Sequence, residues 1–138
     1  MNLLPLLTDN ITELLIRIIE FTQTRQKILI KNIRNIHRPE FAPEDLGVAE
    51  FCTLLNDALN EHIQNQQLVL HNTENIKFGI SGGLQAKPAV DEYAKRLLEE
   101  NRGEYLELQR SKLWENSLNQ RVAAELLRLR QRTAVTGY

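Results

Sequence analysis

Residues 25–46 read RQKILIKNIRNIHRPEFAPEDL, and this stretch decides the fold. Its first half closes a long amphipathic helix. The 3,4-alternating positions Leu4, Leu7, Ile11, Leu14, Ile18, Phe21, Arg25, Ile28 and Asn32 are apolar at seven of nine places, the seam pattern of a coiled coil. Leu15, Ile19, Leu29, Ile33 and Ile36 widen the stripe, so the helix is expected to have more than one neighbour. Asn10 and Glu13 have the spacing of a capping box at its start. Pro39 ends the helix, because it disfavours the α region for Arg38 and has no N–H to donate. With Pro43 four residues on, 38–45 is expected to be an extended or turning loop. The helix is therefore placed at residues 8–37 of one 138-residue domain.

Downstream, Asp45 to Leu59 has the pattern of a short amphipathic helix, capped by Asp45, with Val48, Phe51, Cys52, Leu55 and Leu59 on one side. Residues 61–87 are rich in Asn, Gln and His. Gly82-Gly83 is a turn signal, and the stretch fits either a small hairpin, with strands near 67–71 and 76–80, or a loop that orders on assembly. Pro88 is well placed to open a second long helix over 88–133, with Asp91 and Glu92 in its first turn. Tyr93, Leu97, Leu98, Tyr105, Leu108, Leu113, Leu118, Val122, Leu126 and Leu129 recur along it at helical spacing. Gly103 is its only interior glycine, and Arg128, Arg130 and Arg132 suit its negative C-terminal end. Unbroken, such a helix would run about 65 Å at ~1.5 Å per residue, too long for a compact globule of this size. The expected fold is mainly α. Two long terminal helices pair as an elongated coiled coil, with a short middle helix and a loop or small β-hairpin between them.

Composition narrows the function classes. Seventeen basic residues stand against eighteen acidic ones. That balance argues against a dedicated nucleic-acid binder and gives no overall attraction to acidic membranes. The single cysteine, Cys52, cannot form an intrachain disulfide, and the expected role is a small apolar side chain in the core. Met1 to Leu7 is apolar but lacks the features of a cleavable signal peptide. His37, His62 and His71 have no ligand-type spacing, and SGGL at 81–84 lacks the Lys-Ser/Thr of a phosphate loop. No catalytic residue, metal ligand or cofactor is expected, and no small-molecule ligand.

Residues 32–46, NIRNIHRPEFAPEDL, resemble the flagellar basal-body rod proteins, whose N-terminal helix ends in a motif close to NIANADTPGY followed by Asp-Leu. Asn32, Ile33, Asn35, Pro39, Asp45 and Leu46 match, and Phe41 stands where the family has Tyr. The preceding RQKILIKN resembles the family's RQxVLAxN at Arg25, Gln26, Leu29 and Asn32. Glu100, Asn101 and Tyr105 have the spacing of a Glu-Asn-x-x-x-Tyr element in the smallest, proximal-rod members, and Val90-Asp91 resembles the pair that opens the same helix. The sequence departs from the pattern at Arg34 and Ile36, which replace small alanines, and at Glu40, which replaces a glycine. The resemblance covers residues 14–46 and 89–115.

This resemblance implies a structural subunit, exported by the flagellar type III apparatus and polymerised into the periplasmic rod. Its terminal helices would form the inner layer. Its partners would be other rod subunits, the rod-base adaptor and export-gate proteins. Asn32, Asn35 and Pro39 would set the helix end and aim the loop. On the stripe pattern, Ile11, Leu14, Ile18, Phe21 and Ile28 would pack on Leu97, Leu98, Tyr105, Leu108 and Leu118. Each feature also has a plainer reading: the stripes as the core of a monomeric bundle, the two asparagines as helix caps, the arginine cluster as dipole compensation on a solvated face. The competing functional reading is a cytosolic helical adaptor or chaperone that dimerises through its stripes. A small helical enzyme would need a polar pocket that no residue cluster suggests.

Overall fold

A computed structural model of the chain describes residues 10–79 and 83–136, with side chains to residue 133. The chain is mainly helical. In order come α1 (Asn10–Arg34), β1 (Glu44–Asp45), α2 (Val48–Asn65), β2 (Ile76–Phe78), β3 (Leu84–Ala86), β4 (Ala89–Val90), α3 (Glu92–Glu100) and α4 (Arg102–Thr136). Leu4 and Leu7 of the expected stripe, and Gly82 of the expected turn, lie outside the described residues.

Two long helices pair. Asn116 donates to the Thr22 carbonyl and Asn32 to Gln109, so moving up α1 moves back down α4 and the pair is antiparallel. The apolar core lies on a different side of α1. Phe21, Leu46, Phe51, Leu54 and Ile76 form it, with Ile18, Ile28, Val48, Phe78 and Leu84 packed around them. It is closed by α1, α2 and a hairpin in which Ile76 pairs with Ala86, Lys77 with Gln85 and Phe78 with Leu84. Glu20 of α1 braces that hairpin. Its carboxylate accepts from the Leu84 N–H and sits where a Cβ on Gly83 (φ +72°) would have to be.

Several expectations are corrected. The second long helix does not start at Pro88: Ala89 and Val90 instead pair antiparallel with Asp45 and Glu44, and Asp91 caps α3 by accepting from the Ala94 N–H. Nor is it unbroken. Asn101 takes an extended conformation (φ −152°, ψ 96°) and its side chain caps α4 through the Glu104 N–H, so the helix breaks at Asn101. At 35 residues α4 alone is about 52 Å long. The hairpin is one strand further on than expected, because 76–78 pairs with 84–86 and 67–71 forms no strand. Asp45 does not cap α2; Gly47 holds that position without a side-chain bond. Asn10 and Glu13 form no capping box: Asn10 reaches His62 at the far end of α2, and Glu13 pairs with Arg17. Cys52 is exposed, because Phe51, Leu54 and Ala58 take the inward side of α2.

After Arg34 the chain turns. The Asn35 side chain bonds back to the Lys31 carbonyl, and Glu40 adopts a left-handed conformation (φ 62°). A non-glycine residue in that region costs roughly 1–2 kcal/mol, of which glycine recovers part after its greater entropy loss on folding. Glu40→Gly is therefore expected to raise the unfolding free energy by up to about 1 kcal/mol in urea denaturation. A loss of that size would show that Glu40 makes a contact outweighing its strain.

Candidate functional site: a buried polar junction

Where α1 ends, the loop, α3 and α4 converge on one set of polar side chains. Asn32 lies on the last turns of α1, 2% exposed. Its carboxamide oxygen accepts from the Glu44 N–H at 3.1 Å, and its amide nitrogen donates to the Glu44 carbonyl at 2.8 Å and to Gln109 Oε1 at 2.9 Å. The side chain thus pairs with the loop backbone as a strand would, which needs a donor and an acceptor at the same short reach. The Asn32 carbonyl accepts from the Tyr105 hydroxyl at 2.9 Å. Tyr105 is fully buried, and burial, with a smaller contribution from Asp91, pushes its phenol up to about 12.

One loop residue away from Glu44, a charged chain crosses the same junction. Arg25 makes a two-pronged contact with Asp45, Nε to Oδ1 at 2.8 Å and Nη2 to Oδ2 at 3.0 Å. Lys112 of α4 donates to Asp45 Oδ2 at 3.0 Å and to Asp91 Oδ2 at 2.7 Å. Asp91 therefore caps α3 with one oxygen and holds α4 with the other, while its own N–H donates to the Pro43 carbonyl. Burial acts to raise the Asp45 carboxyl, but Arg25 and then Lys112 outweigh it and hold the pKa below its ordinary value. Burial likewise acts to lower Lys112, and Asp91 and Asp45 together raise it.

This arrangement fixes geometry. Its acids and bases are engaged with one another. Among the described residues no group of three His, Cys, Asp or Glu could hold a metal ion, and no helix is long and apolar enough to cross a membrane. Beside the junction an open cleft lies between the 36–42 loop and α3, with Ile36, Pro39, Phe41 and Leu98 along it and Arg38, Glu40, Lys95 and Arg102 at its rim.

The residues singled out from sequence fall into two groups. Asn32, Asp45, Asn101 and Tyr105 lie in or at the edge of the junction, with Leu46 buried in the adjacent core. Ile33 is half-buried, Asn35 bonds to Lys31, Pro39 and Phe41 border the cleft, and Glu100 is exposed. The expected apolar pairing between the long helices is not what the structure shows. Phe21 stacks on Phe51 of α2, with Ile18 and Ile28 beside it; Leu14 is buried and Ile11 half-buried. On the other side, Leu97, Leu98 and Leu108 are half-buried and Leu118 is 49% exposed. The α4 side chains bonded to α1 are Tyr105, Gln109 and Asn116 instead, and Lys112 beside them reaches Asp45 and Asp91. Gln109, Lys112 and Asn116 are polar, and an apolar stripe does not point to them. Their 4,3,4 spacing from Tyr105 is the same seam in polar form and was there to be found.

Ionisation of Tyr105 gives a direct check. Its unfolded phenol titrates near 10 and the folded one near 12, so the unfolded chain binds fewer protons in between. Stability from this group is complete below pH 10 and is lost as pH rises through 12. Absorbance titration of the phenolates should resolve a component near 12 that disappears in Tyr105→Phe. That variant should lose about 1 kcal/mol, for one hydrogen bond. A wild-type chain with no component displaced from the ordinary tyrosine range would refute the junction as described.

Comparison with protein-family models, curated proteins and solved structures finds no match to this chain.

Proposed function

We propose that the chain is a structural subunit of the bacterial flagellar basal-body rod, of the proximal, FlgB type. Asn32, Asp45 and Leu46 match the family's first motif, and Asp91, Asn101 and Tyr105 its second; the bond from Tyr105 to Asn32 spans 73 residues of sequence, and the two sets meet at one junction and its flanking core. That convergence carries the reading. It gives both motifs one task, to set the angle at which the loop and α3 leave the paired long helices. Further support comes from Glu40, whose left-handed backbone falls where the family has glycine. In such a rod, heterologous contacts that do not close propagate a helical tube. The subunit would be exported to the periplasm and assembled between the export gate and rod-base adaptor on one side and further rod subunits on the other.

The test is deletion of the gene in its own bacterium. The expected outcome is loss of swimming and basal bodies that lack a rod, restored by the wild-type gene. Intact rods and normal motility in the deletion strain would overturn the proposal. A cytosolic, stably folded dimer recovered from such cells would point to the adaptor or chaperone reading.

A further inference from the structure

The outer side of α4 is left uncovered. Trp114 (72% exposed), Leu118 (49%), Val122 (50%), Leu126 (46%) and Leu129 (44%) form one stripe on it, facing away from the Asn116 and Ala123 side that meets α1. From Trp114 to Leu129 the stripe runs about 22 Å at ~1.5 Å per residue. Arg110, Arg121, Arg128 and Arg132 are all exposed, and at about 100° per residue they fall along one edge of it. Arg128 pairs with Glu125, while Arg110, Arg121 and Arg132 have no ion-pair partner among the described residues. A shallow hollow between Leu118, Arg121, Val122, Glu125 and Leu126 marks the middle of the stripe.

We infer that this face docks an amphipathic helix of a different protein, one that carries an acidic row beside its apolar side. The charges select among the occupants. A second copy packed antiparallel about a two-fold axis would set the arginine edge against the same edge of its mate. A parallel copy would bring only Glu115 to meet that edge. An anionic membrane would answer the arginines, but Glu125 lies within the stripe, where insertion would carry a carboxylate into the acyl region. A helical partner satisfies both features: its acidic row meets the free arginines, and Glu125 keeps its pairing with Arg128 without entering an acyl layer. The inference does not depend on the rod reading, and its test uses the isolated chain.

Trp114 is the only tryptophan, so its emission reports on the stripe directly. The probe is a synthetic helical peptide as long as the stripe, with leucines on one face and a glutamate row along its edge. It should shift Trp114 emission to the blue saturably, and more weakly as salt is raised. The double variant Arg121→Glu/Arg128→Glu should weaken binding on the order of tenfold or more at low salt. Both positions are exposed, and circular dichroism of the variant should match wild type. Leu118→Ser should weaken binding with no change in its salt dependence. Equal binding of a peptide with a lysine row would overturn the inference. So would a blue shift given only by vesicles of phosphatidylglycerol, or self-association of the chain, seen by sedimentation, that protects Trp114.

Discussion

Replacing Asp45 by alanine lowers the unfolding free energy by about 3–5 kcal/mol, the range for breaking a buried pair from one side. The loss comes mainly from what stays behind. The Arg25 side chain is 8% exposed, and Asp45 is the only ion-pair partner it has among the described residues. Lys112 is less affected, because it keeps Asp91 at 2.7 Å. If so, removing both members with apolar replacements, as in Arg25→Met/Asp45→Leu, should recover most of the loss, since neither charge is then stranded. The pH dependence carries the same signature. The folded pKa of Asp45 lies below its unfolded value of 3.8, so its contribution is complete above that value and fades as pH falls through the folded pKa. Urea denaturation at neutral pH and again in acid checks both points. An alanine variant within 1 kcal/mol of wild type at neutral pH, a margin far below the roughly 3–5 kcal/mol at stake, would show that the junction is ornamental.

How far the junction was legible from sequence depends on which of its residues act locally. The loop after Arg34 was visible because Pro39 and Pro43 act on their own neighbours. The motif singled out Asn32, Asp45 and Tyr105, but not their bonds to one another, which join positions as far apart as Asn32 and Gln109. Pro88 was misplaced for the same reason. As a helix opener it fits its neighbours, yet Ala89 and Val90 pair with Asp45 and Glu44, a contact that no local pattern announces. The break at Asn101 was local and was still missed. The helix reads as continuous through Gly103, whereas the Asn101 side chain competes with the backbone and starts a new helix. On α4 the apolar positions from Leu118 to Leu129 fall on the outward face, and the inward face mixes Tyr105 and Ala123 with Gln109 and Asn116. A helix does not reveal which neighbour its apolar side serves, and here that side awaits one.

The largest effect away from charge is expected at Phe21. It is 3% exposed and its ring stacks on Phe51 at 4.0 Å between centroids, 2° from parallel, with Leu46, Leu54 and Ile76 closing around them. Phe21→Ala should cost about 3–5 kcal/mol, because the hole lies between two helices and a hairpin that cannot all collapse into it. Phe51→Ala should cost about as much, and a double-mutant cycle should leave a coupling of about 0.5–1.5 kcal/mol for the pair of rings. Leu118 provides the contrast. Were the two long helices joined through their apolar stripes, Leu118→Ala would also open a cavity and cost several kcal/mol. With Leu118 half exposed on the far side of α4, the same change should fall within about 0.5 kcal/mol of wild type. The two variants thus separate two architectures that have the same helices. A large loss at Phe21 with almost none at Leu118 means that α1 keeps its apolar side for α2 and the hairpin. It then holds α4 through Asn32, Thr22, Tyr105 and Asn116, and the outer stripe is free to serve a partner.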